Sequence, residues 1–216
     1  GDHRDLHYPL RRQRQMCIRD RNTLDLGVAS HQTLNVQDEY YRDCVRYMIY
    51  GNILKNGTYP LSVSSERTVQ AISIVRHAKA NEFTHIGHGC TGAGNDQIRF
   101  DLVFQVLAPE IEVHTPIRDL KLSRQQEIDY LVAKGVQRDW TKMAYSINRG
   151  LWGTSIGGKE TLTSNQGLPE EAYPTQVQRD GTETITLGFE KGELVEVNGE
   201  RMDPIAAICR VEEIAA

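Results

Sequence analysis

The chain alternates short strand-like segments with longer helical segments, and this alternation constrains the fold more than any other feature. Thr33–Val36, Thr84–His88 and Ile111–Val113 have the composition of short strands. Helices are predicted to begin at Asp38, at Ser64 or Ser65, near Asn95, and at Ser123. Strands that alternate with helices favour βαβ units, so we expect an α/β fold with a parallel sheet.

Local signals define the faces and ends of these helices. Ser123 and Gln126 have the spacing of a capping box, and Gly135 then ends that helix. Pro109 follows the helix that reaches Leu107. Apolar side chains recur at helical spacing on the first helix (Tyr41, Val45, Met48) and on the second (Val69, Ile72, Val75).

The pattern changes after about residue 140. Residues 184–189 alternate in polarity, and turns at Lys191-Gly192 and Asn198-Gly199 flank the apolar run Leu194–Val197. Asp203 and Pro204 are typical of a helix start. We therefore divide the chain into a first part, residues 22–140, and a second α+β part, residues 141–216.

Residues 1–21 differ in composition from the remainder of the chain. They contain six arginines, three aspartates and no lysine, without apolar periodicity. A basic arm for nucleic acid or acidic lipid and a disordered tail are two ordinary interpretations. Because Leu10–Arg21 resembles translated sequencing-adapter DNA, we interpret this segment as a non-native, disordered head and exclude it from fold reasoning.

Composition excludes several classes of protein. A formal net charge of −4 argues against a general nucleic-acid binder. No apolar stretch approaches the ~20 residues of a membrane helix. Four cysteines without CxxC spacing argue against a zinc ribbon or a disulfide framework. We expect a cytoplasmic protein with reduced thiols, without nucleic-acid or membrane partners.

A glycine-rich loop at Gly89–Asp96 lies between a predicted strand and a predicted helix, where backbone N–H groups and the helix dipole favour anions. Gln97 occupies the position of the third glycine of a dinucleotide fingerprint, which disfavours an NAD-dependent oxidoreductase. A tight structural turn remains an alternative. Asn95 and Arg99 share a helix face with Asp96 beside them, and this combination suits a zwitterionic ligand.

Two further motifs are rejected as sites. Gly153–Lys159 matches most of a Walker A loop, but Glu160 replaces the Ser or Thr that binds Mg²⁺. His85, His88 and Cys90 resemble a metal cluster, but strand alternation separates His85 from Cys90. We therefore expect no metal site, and we interpret Cys90 as an inert thiol.

Four motifs, in order, resemble the argininosuccinate synthase family. They are Asn56–Ser64 (NGTYPLSVS), His88–Phe100 (HGCTGAGNDQIRF), Ala108–Val113 (APEIEV), and YSIN with LWGTSI at residues 145–148 and 151–156. The resemblance implies a parallel-sheet, adenine-nucleotide-binding domain of the ATP pyrophosphatase type, followed by the start of an α+β synthetase domain. It also implies ATP-dependent ligation of citrulline to aspartate through citrullyl-adenylate, with ATP used together with Mg²⁺.

The resemblance further implies roles for individual residues. Citrulline is expected to contact Tyr59, Ser64, Asn95, Arg99, Ser146 and Ser155. Aspartate is expected to contact Thr91, Asn95 and Asp96, and ATP to lie against Gly89. The family lysine is replaced by Ala93, and no residue is an obvious general base.

The family's S-G-G-x-D-T-S nucleotide loop is not found in this sequence. We therefore expect the chain to be an internal part of a homotetrameric enzyme and to be inactive alone. A non-catalytic nucleotide or amino-acid binding module of the same superfamily is the alternative function.

Overall fold

The computed structural model describes residues 25–92, 94–137, 140, 145–177 and 180–215. The predicted head at residues 1–21 lies outside them. The first part contains α1 (Gln37–Tyr40), a π-helical turn (Tyr41–Val45), α2 (Arg46–Tyr50), α3 (Ser62–Ala80), β1 (His85–Gly87), α4 (Asp96–Leu107), β2 (Glu112–His114), α5 (Pro116–Asp119) and α6 (Arg124–Ala133). The second part contains β3 (Ser146–Gly150), β4 (Gly153–Gly157), 3₁₀ turns at Lys159–Leu162 and Glu170–Ala172, β5 (Leu187–Glu190), β6 (Glu193–Val197), β7 (Glu200–Arg201) and α7 (Pro204–Ala215).

Strands β1 and β2 pair in parallel, with His85 opposite Glu112 and Gly87 opposite His114. Helix α4 makes the crossover between them, which is the connection that parallel strands require. The inward-facing Ile86 is buried in a core with Phe104 of α4 and Val75 of α3. The predicted α/β fold with a parallel sheet is therefore confirmed in this part of the chain.

Helix α3 belongs to two apolar cores. Its Ala71, Val75 and Ala78 pack with β1 and α4. Its Val69 packs instead with a cluster formed mainly by α1, the π-helical turn and α2. The buried members of that cluster from the first helix are Tyr40, Tyr41, Val45 and Met48, which confirms the predicted apolar face. Among the described helices, none is long and apolar enough to cross a membrane.

The second part contains an antiparallel meander, β5-β6-β7, covered by α7. The predicted turns join its strands, and Lys191, Gly192, Asn198 and Gly199 all have positive φ. Asp203 starts α7 as predicted, since its Oδ1 accepts hydrogen bonds from the backbone N–H groups of Ile205 and Ala206.

A pair of tyrosines joins the first helical segment to the meander. Tyr41 and Tyr50 both donate hydrogen bonds to the Glu193 carboxylate at the start of β6, at 3.1 and 2.7 Å. The partners are 152 and 143 residues apart in sequence. No local pattern predicts a contact over such a separation.

Two local predictions are wrong. Thr33–Val36 forms no strand, because Asn35 Oδ1 accepts from the Gln37 N–H and Val36 becomes the residue before α1. Helix α3 begins at Ser62 rather than after Ser64 or Ser65. Both of those serine hydroxyls donate to the Leu61 carbonyl and therefore do not cap the helix.

The hairpin β3-β4 was not predicted. Gly153–Gly157, which resembles part of a Walker A loop, is its second strand, paired antiparallel with Ser146–Gly150. A phosphate loop needs a strand before it and a helix after it. The rejection of a nucleotide site here agrees with this structure.

Candidate functional site

The glycine-rich loop connects the carboxyl end of β1 to the amino end of α4. Gly89, Thr91 and Asn95 are exposed along it. Asn95 precedes the first helical residue, and its side chain makes no capping hydrogen bond. Both its amide and the positive end of the α4 dipole are therefore available to a ligand.

A buried histidine fixes the start of this loop. His88 is 9% exposed at its side chain and stacks on Phe100 with ring centroids 5.7 Å apart. Its Nδ1 accepts the backbone N–H of Cys90 at 3.2 Å, so the ring proton is assigned to Nε2, which lies 3.1 Å from Asp101 Oδ1. His88 therefore ties the loop to α4.

Arg118 of helix α5 completes this network. It donates to Asp101 and also to Gln97 Oε1 at 3.3 Å, while Gln97 donates to the Gly92 carbonyl at 2.6 Å. Burial raises the pKa of Asp101, but the hydrogen bonds from Arg118 and His88 outweigh burial and hold the pKa below its usual value. The loop is thus held at two points by polar and charged groups.

A second cluster lies where α3 meets the start of α4, and its central residue is Arg67. Asp96 accepts from Arg67 Nε at 3.2 Å and from Arg99 Nη1 at 2.6 Å. Arg67 also donates to Gln70 at 2.9 Å. Arg67, Asp96 and Arg99 are 18%, 31% and 28% exposed at their side chains. Asp96 and Arg99, predicted as separate ligand contacts, are thus half-buried and paired with each other in an alternating row of charges.

The same arginine reaches the hairpin. Arg67 Nη2 donates to Asn148 Oδ1 at 2.6 Å. Asn148 is opposite Ser155, and Ser146 is opposite Gly157, so both predicted serines share one face of the hairpin with Asn148. Both strands of the hairpin contact α3, and Asn148 is the residue of this face that Arg67 reaches.

Gly150 allows this close approach. A Cβ atom built on it would lie 1.8 Å from Glu66 Oε2. Burial raises the pKa of Glu66, although Arg67 and Gln70 oppose that effect. The Glu66 carboxylate therefore occupies the space that a side chain at position 150 would need.

Tyr59 and Ser64 lie at the start of α3. Tyr59 Oη accepts the backbone N–H of Val63 at 3.2 Å. Burial raises the pKa of Tyr59, but hydrogen bonds from Ser64, Ser62 and the backbone outweigh it and lower the pKa overall. Ser64 precedes Arg67 by three residues and so shares its helix face.

The structure thus places the predicted residues in two neighbouring groups. Asp96 contacts both Arg67 and Arg99, Ser64 lies one helical turn before Arg67, and Ser146 and Ser155 share a hairpin face with Asn148, which Arg67 contacts. Gly89 and Thr91 lie on the loop fixed by His88. An open cleft of about 400 Å³ elsewhere on α3, beside residues 33–36, is lined by none of the predicted site residues. Burial raises the pKa of the Cys90 thiol, which agrees with an inert cysteine.

Sequence reasoning missed Arg67, Asn148, Asp101 and Arg118. Two of them could have been found from spacing. Arg67 follows Ser64 by three residues on a predicted helix, and Asn148 is two residues after Ser146, which places the two on one face of a strand. No local pattern points to Asp101 or Arg118, since Asp101 is 13 residues from His88 and 17 residues from Arg118 in sequence.

Comparisons with known proteins bear on the family of this chain. The family model described as "Arginosuccinate synthase N-terminal HUP domain" matches residues 11–137, a range that begins within the predicted head. Proteins named argininosuccinate synthase are 36% identical in Methanocaldococcus jannaschii over 193 residues and 39% identical in Methanococcus maripaludis over 196 residues. Each alignment covers 88% of this chain and 49% of the relative. The chain therefore spans about half the length of the curated relatives it matches.

Proposed function

The chain belongs to the argininosuccinate synthase family, and from that premise we propose that it contributes to an ATP-dependent ligase that joins citrulline to aspartate. The ureido oxygen of citrulline attacks the α-phosphate of ATP, which gives citrullyl-adenylate and pyrophosphate. The amine of aspartate then displaces AMP and forms argininosuccinate. The proposal extends to Mg²⁺ bound with ATP, to a homotetramer, and to a cytoplasmic location.

The observation that carries this proposal is the Arg67 cluster. Asp96 lies between two guanidinium groups, at 3.2 Å from Arg67 and 2.6 Å from Arg99. Such an alternation of charges matches substrates that carry an ammonium and a carboxylate group on one carbon. Both amino-acid substrates of the proposed reaction have this arrangement.

Each predicted residue then has a chemical role. Arg99 exchanges one contact with Asp96 for the carboxylate of citrulline, while Asp96 remains paired with Arg67. The exposed Asn95 and Thr91 bind aspartate, assisted by Asp96. Asn95 also contacts citrulline, and the remaining polar groups of citrulline are held by Tyr59, Ser64, Ser146 and Ser155.

ATP lies along the loop at Gly89, where the backbone and the start of α4 favour phosphate. Since no general base is evident, the residues act mainly by positioning the ureido oxygen and by stabilising developing phosphate charge. The network of His88, Asp101 and Arg118 keeps the loop in place during these steps.

The test is a chimera in which this chain replaces the matching half of the Methanocaldococcus jannaschii protein. We expect pyrophosphate release that requires ATP, citrulline and aspartate together for turnover. A folded chimera that binds ATP and citrulline without releasing pyrophosphate would favour the non-catalytic module. A folded chimera that binds neither would refute both functions.

Arg99→Ala in that chimera tests the substrate assignment. We expect citrulline binding to weaken by roughly 2–4 kcal/mol, the scale for removing one partner of a half-buried charge pair. Arg76→Ala is the matched control, because Arg76 pairs with Glu39 and is 60% exposed. Unchanged citrulline affinity in the Arg99 variant would contradict its role.

A further inference from the structure

The face of the β1–β2 pair opposite the apolar core carries three side chains that ligate metals. Ile86 and Val113 point into the core between the strands and helices. Because side chains alternate along a strand, His85, Glu112 and His114 project from the other face. All three are exposed, and they are distinct from the residues of the Arg67 cluster.

The strand register brings these three together. His85 of β1 is directly opposite Glu112 of β2, and His114 lies two residues after Glu112 on β2. Gly87 is opposite His114 and has no side chain, so the His114 ring can lean towards His85. The two rings stack with centroids 5.1 Å apart and planes inclined by 19°.

The donor atoms have the spacing of a coordination shell. Glu112 lies between the imidazoles, with Oε2 3.5 Å from His85 Nε2 and Oε1 3.5 Å from His114 Nε2. Ligands at about 2.0–2.1 Å from a tetrahedral Zn²⁺ ion are about 3.3 Å apart. The three donors lie within 4.8 Å of one another, so only a small closure of the side chains would complete the shell.

A second contact prepares His85 for this role. Its Nδ1 lies 2.7 Å from Thr84 Oγ1. If this nitrogen donates to the hydroxyl, the lone pair of Nε2 faces Glu112. Metal-binding histidines characteristically donate their other ring N–H to a carboxylate, a backbone carbonyl or water, which fixes ring orientation and tautomer. The Thr84 hydroxyl occupies that position for His85.

We propose that His85, Glu112 and His114 form a binding site for a divalent transition metal of the Zn²⁺ type, with water as the fourth ligand. Two imidazoles and one carboxylate suit Zn²⁺, Co²⁺ or Ni²⁺, whereas Mg²⁺ and Ca²⁺ prefer oxygen donors. The ion would bridge β1 and β2 and fix their register. No metal site was expected from the sequence, because His85 is grouped there with His88 and Cys90, and its proximity to His114 depends on the pairing of β1 with β2.

The test is metal binding to this chain, in a background with His3→Ala and His7→Ala so that the head supplies no imidazole. Calorimetric titration with Zn²⁺ and visible absorption with Co²⁺ are expected to show one site per chain. His85→Ala and His114→Ala are each expected to weaken Zn²⁺ binding by about 100-fold or more, at or above the range for losing an outer-shell partner. Thr84→Val is expected to weaken it by about tenfold.

His77→Ala is the matched control, because the His77 ring on α3 contacts Asn81 and Phe83 and none of the three proposed ligands, so its loss should leave binding unchanged. Circular dichroism of each variant shows whether it is folded. Co²⁺ spectra dominated by thiolate charge transfer, Zn²⁺ affinity unaffected by either strand histidine, or absence of binding by the folded chain would each overturn the proposal.

Discussion

Two glycine-rich segments of this chain use their glycines in opposite ways. In the loop after β1, a Cβ atom added to Gly89 or Gly92 would approach no atom closer than 3.9 or 3.7 Å, and one added to Gly94 would meet nothing within 4 Å. In the hairpin, a Cβ atom on Gly150 would lie 1.8 Å from the Glu66 carboxylate. The loop leaves space open, whereas the protein itself fills the space beside Gly150. Gly153 and Gly157 of the same hairpin have no neighbour closer than 3.9 Å, so the contrast belongs to Gly150.

This difference separates a glycine that serves a ligand from a glycine that serves packing. Gly89–Asp96 and Gly153–Lys159 both resemble phosphate loops in sequence, and Gly150 lies just before the second of them, paired with Gly153. The distinction depends on the neighbours in space, which are Ile117 and Arg118 for the loop and Glu66 for the hairpin. We therefore expect substitutions in the two segments to affect different properties.

The largest expected effect comes from Arg67→Ala, which removes the link between the hairpin and both helices. We expect a loss of about 2–4 kcal/mol in the free energy of unfolding, slightly below the cost of breaking a fully buried ion pair. Urea denaturation measures it. Arg149→Ala is the control, because its pair with Glu212 is more exposed and should contribute under about 1 kcal/mol. Equal losses in both variants would contradict a central role for Arg67.

Gly150→Ala is expected to cost about 1–3 kcal/mol, the range for overpacking a close contact. The added methyl group must displace the Glu66 carboxylate. In a Glu66→Ala background the same substitution should cost little, because the carboxylate that the methyl group would meet is gone. The two positions are in direct contact, so their effects on stability should not be additive. If Gly150→Ala costs the same in both backgrounds, the clash with Glu66 is not its cause.

Asp101→Asn is expected to cost about 1–2 kcal/mol near neutral pH, because the hydrogen bonds to a charged acceptor are weakened. The folded-state pKa of Asp101 lies below its unfolded value of about 3.9. Its stabilising contribution is therefore present above about pH 4 and is lost as the pH falls through the folded-state pKa. Urea denaturation across this pH range should show that the difference in the free energy of unfolding between wild type and variant shrinks in acid. A difference that stays constant with pH would contradict a stabilising role for the Asp101 charge.

The smallest expected effect on stability comes from Gly94→Ala. Its surroundings are open, and its φ angle is not in the left-handed region, so the change should stay within about 0.5 kcal/mol. Thermal denaturation of the Gly94→Ala and Gly150→Ala variants, measured side by side, compares their losses of stability directly. A loss as large as that of Gly150→Ala would remove the distinction between the two segments.

Local signals predicted most of the fold. The capping box of Ser123 and Gln126 is present, and Gly135 follows α6 with positive φ. These features depend on residues within a few positions of one another, so the sequence displays them directly. The strand predicted at Thr33–Val36 is absent because this segment leads into α1, with Asn35 Oδ1 accepting from the Gln37 N–H.

The site was predicted less completely. Helical spacing placed Asn95 and Arg99 on one face with Asp96 beside them, but it did not predict the ion pair that joins Asp96 to Arg99. The partners that hold them come from elsewhere in the chain, as Asn148 does for Arg67 across 81 residues. Such contacts depend on how elements pack and leave no periodic trace in the sequence.

Helix α3 also determines how the molecule opens. Because Val69 belongs to one apolar core while Ala71 and Val75 belong to the other, neither core can separate without exposing part of the same helix. Amide hydrogens in the middle of α3 should therefore exchange with solvent only through the global unfolding event, whereas those of α6, which buries no residue, should exchange through local opening. Residues 37–111 thereby form a single cooperative unit rather than two that unfold independently.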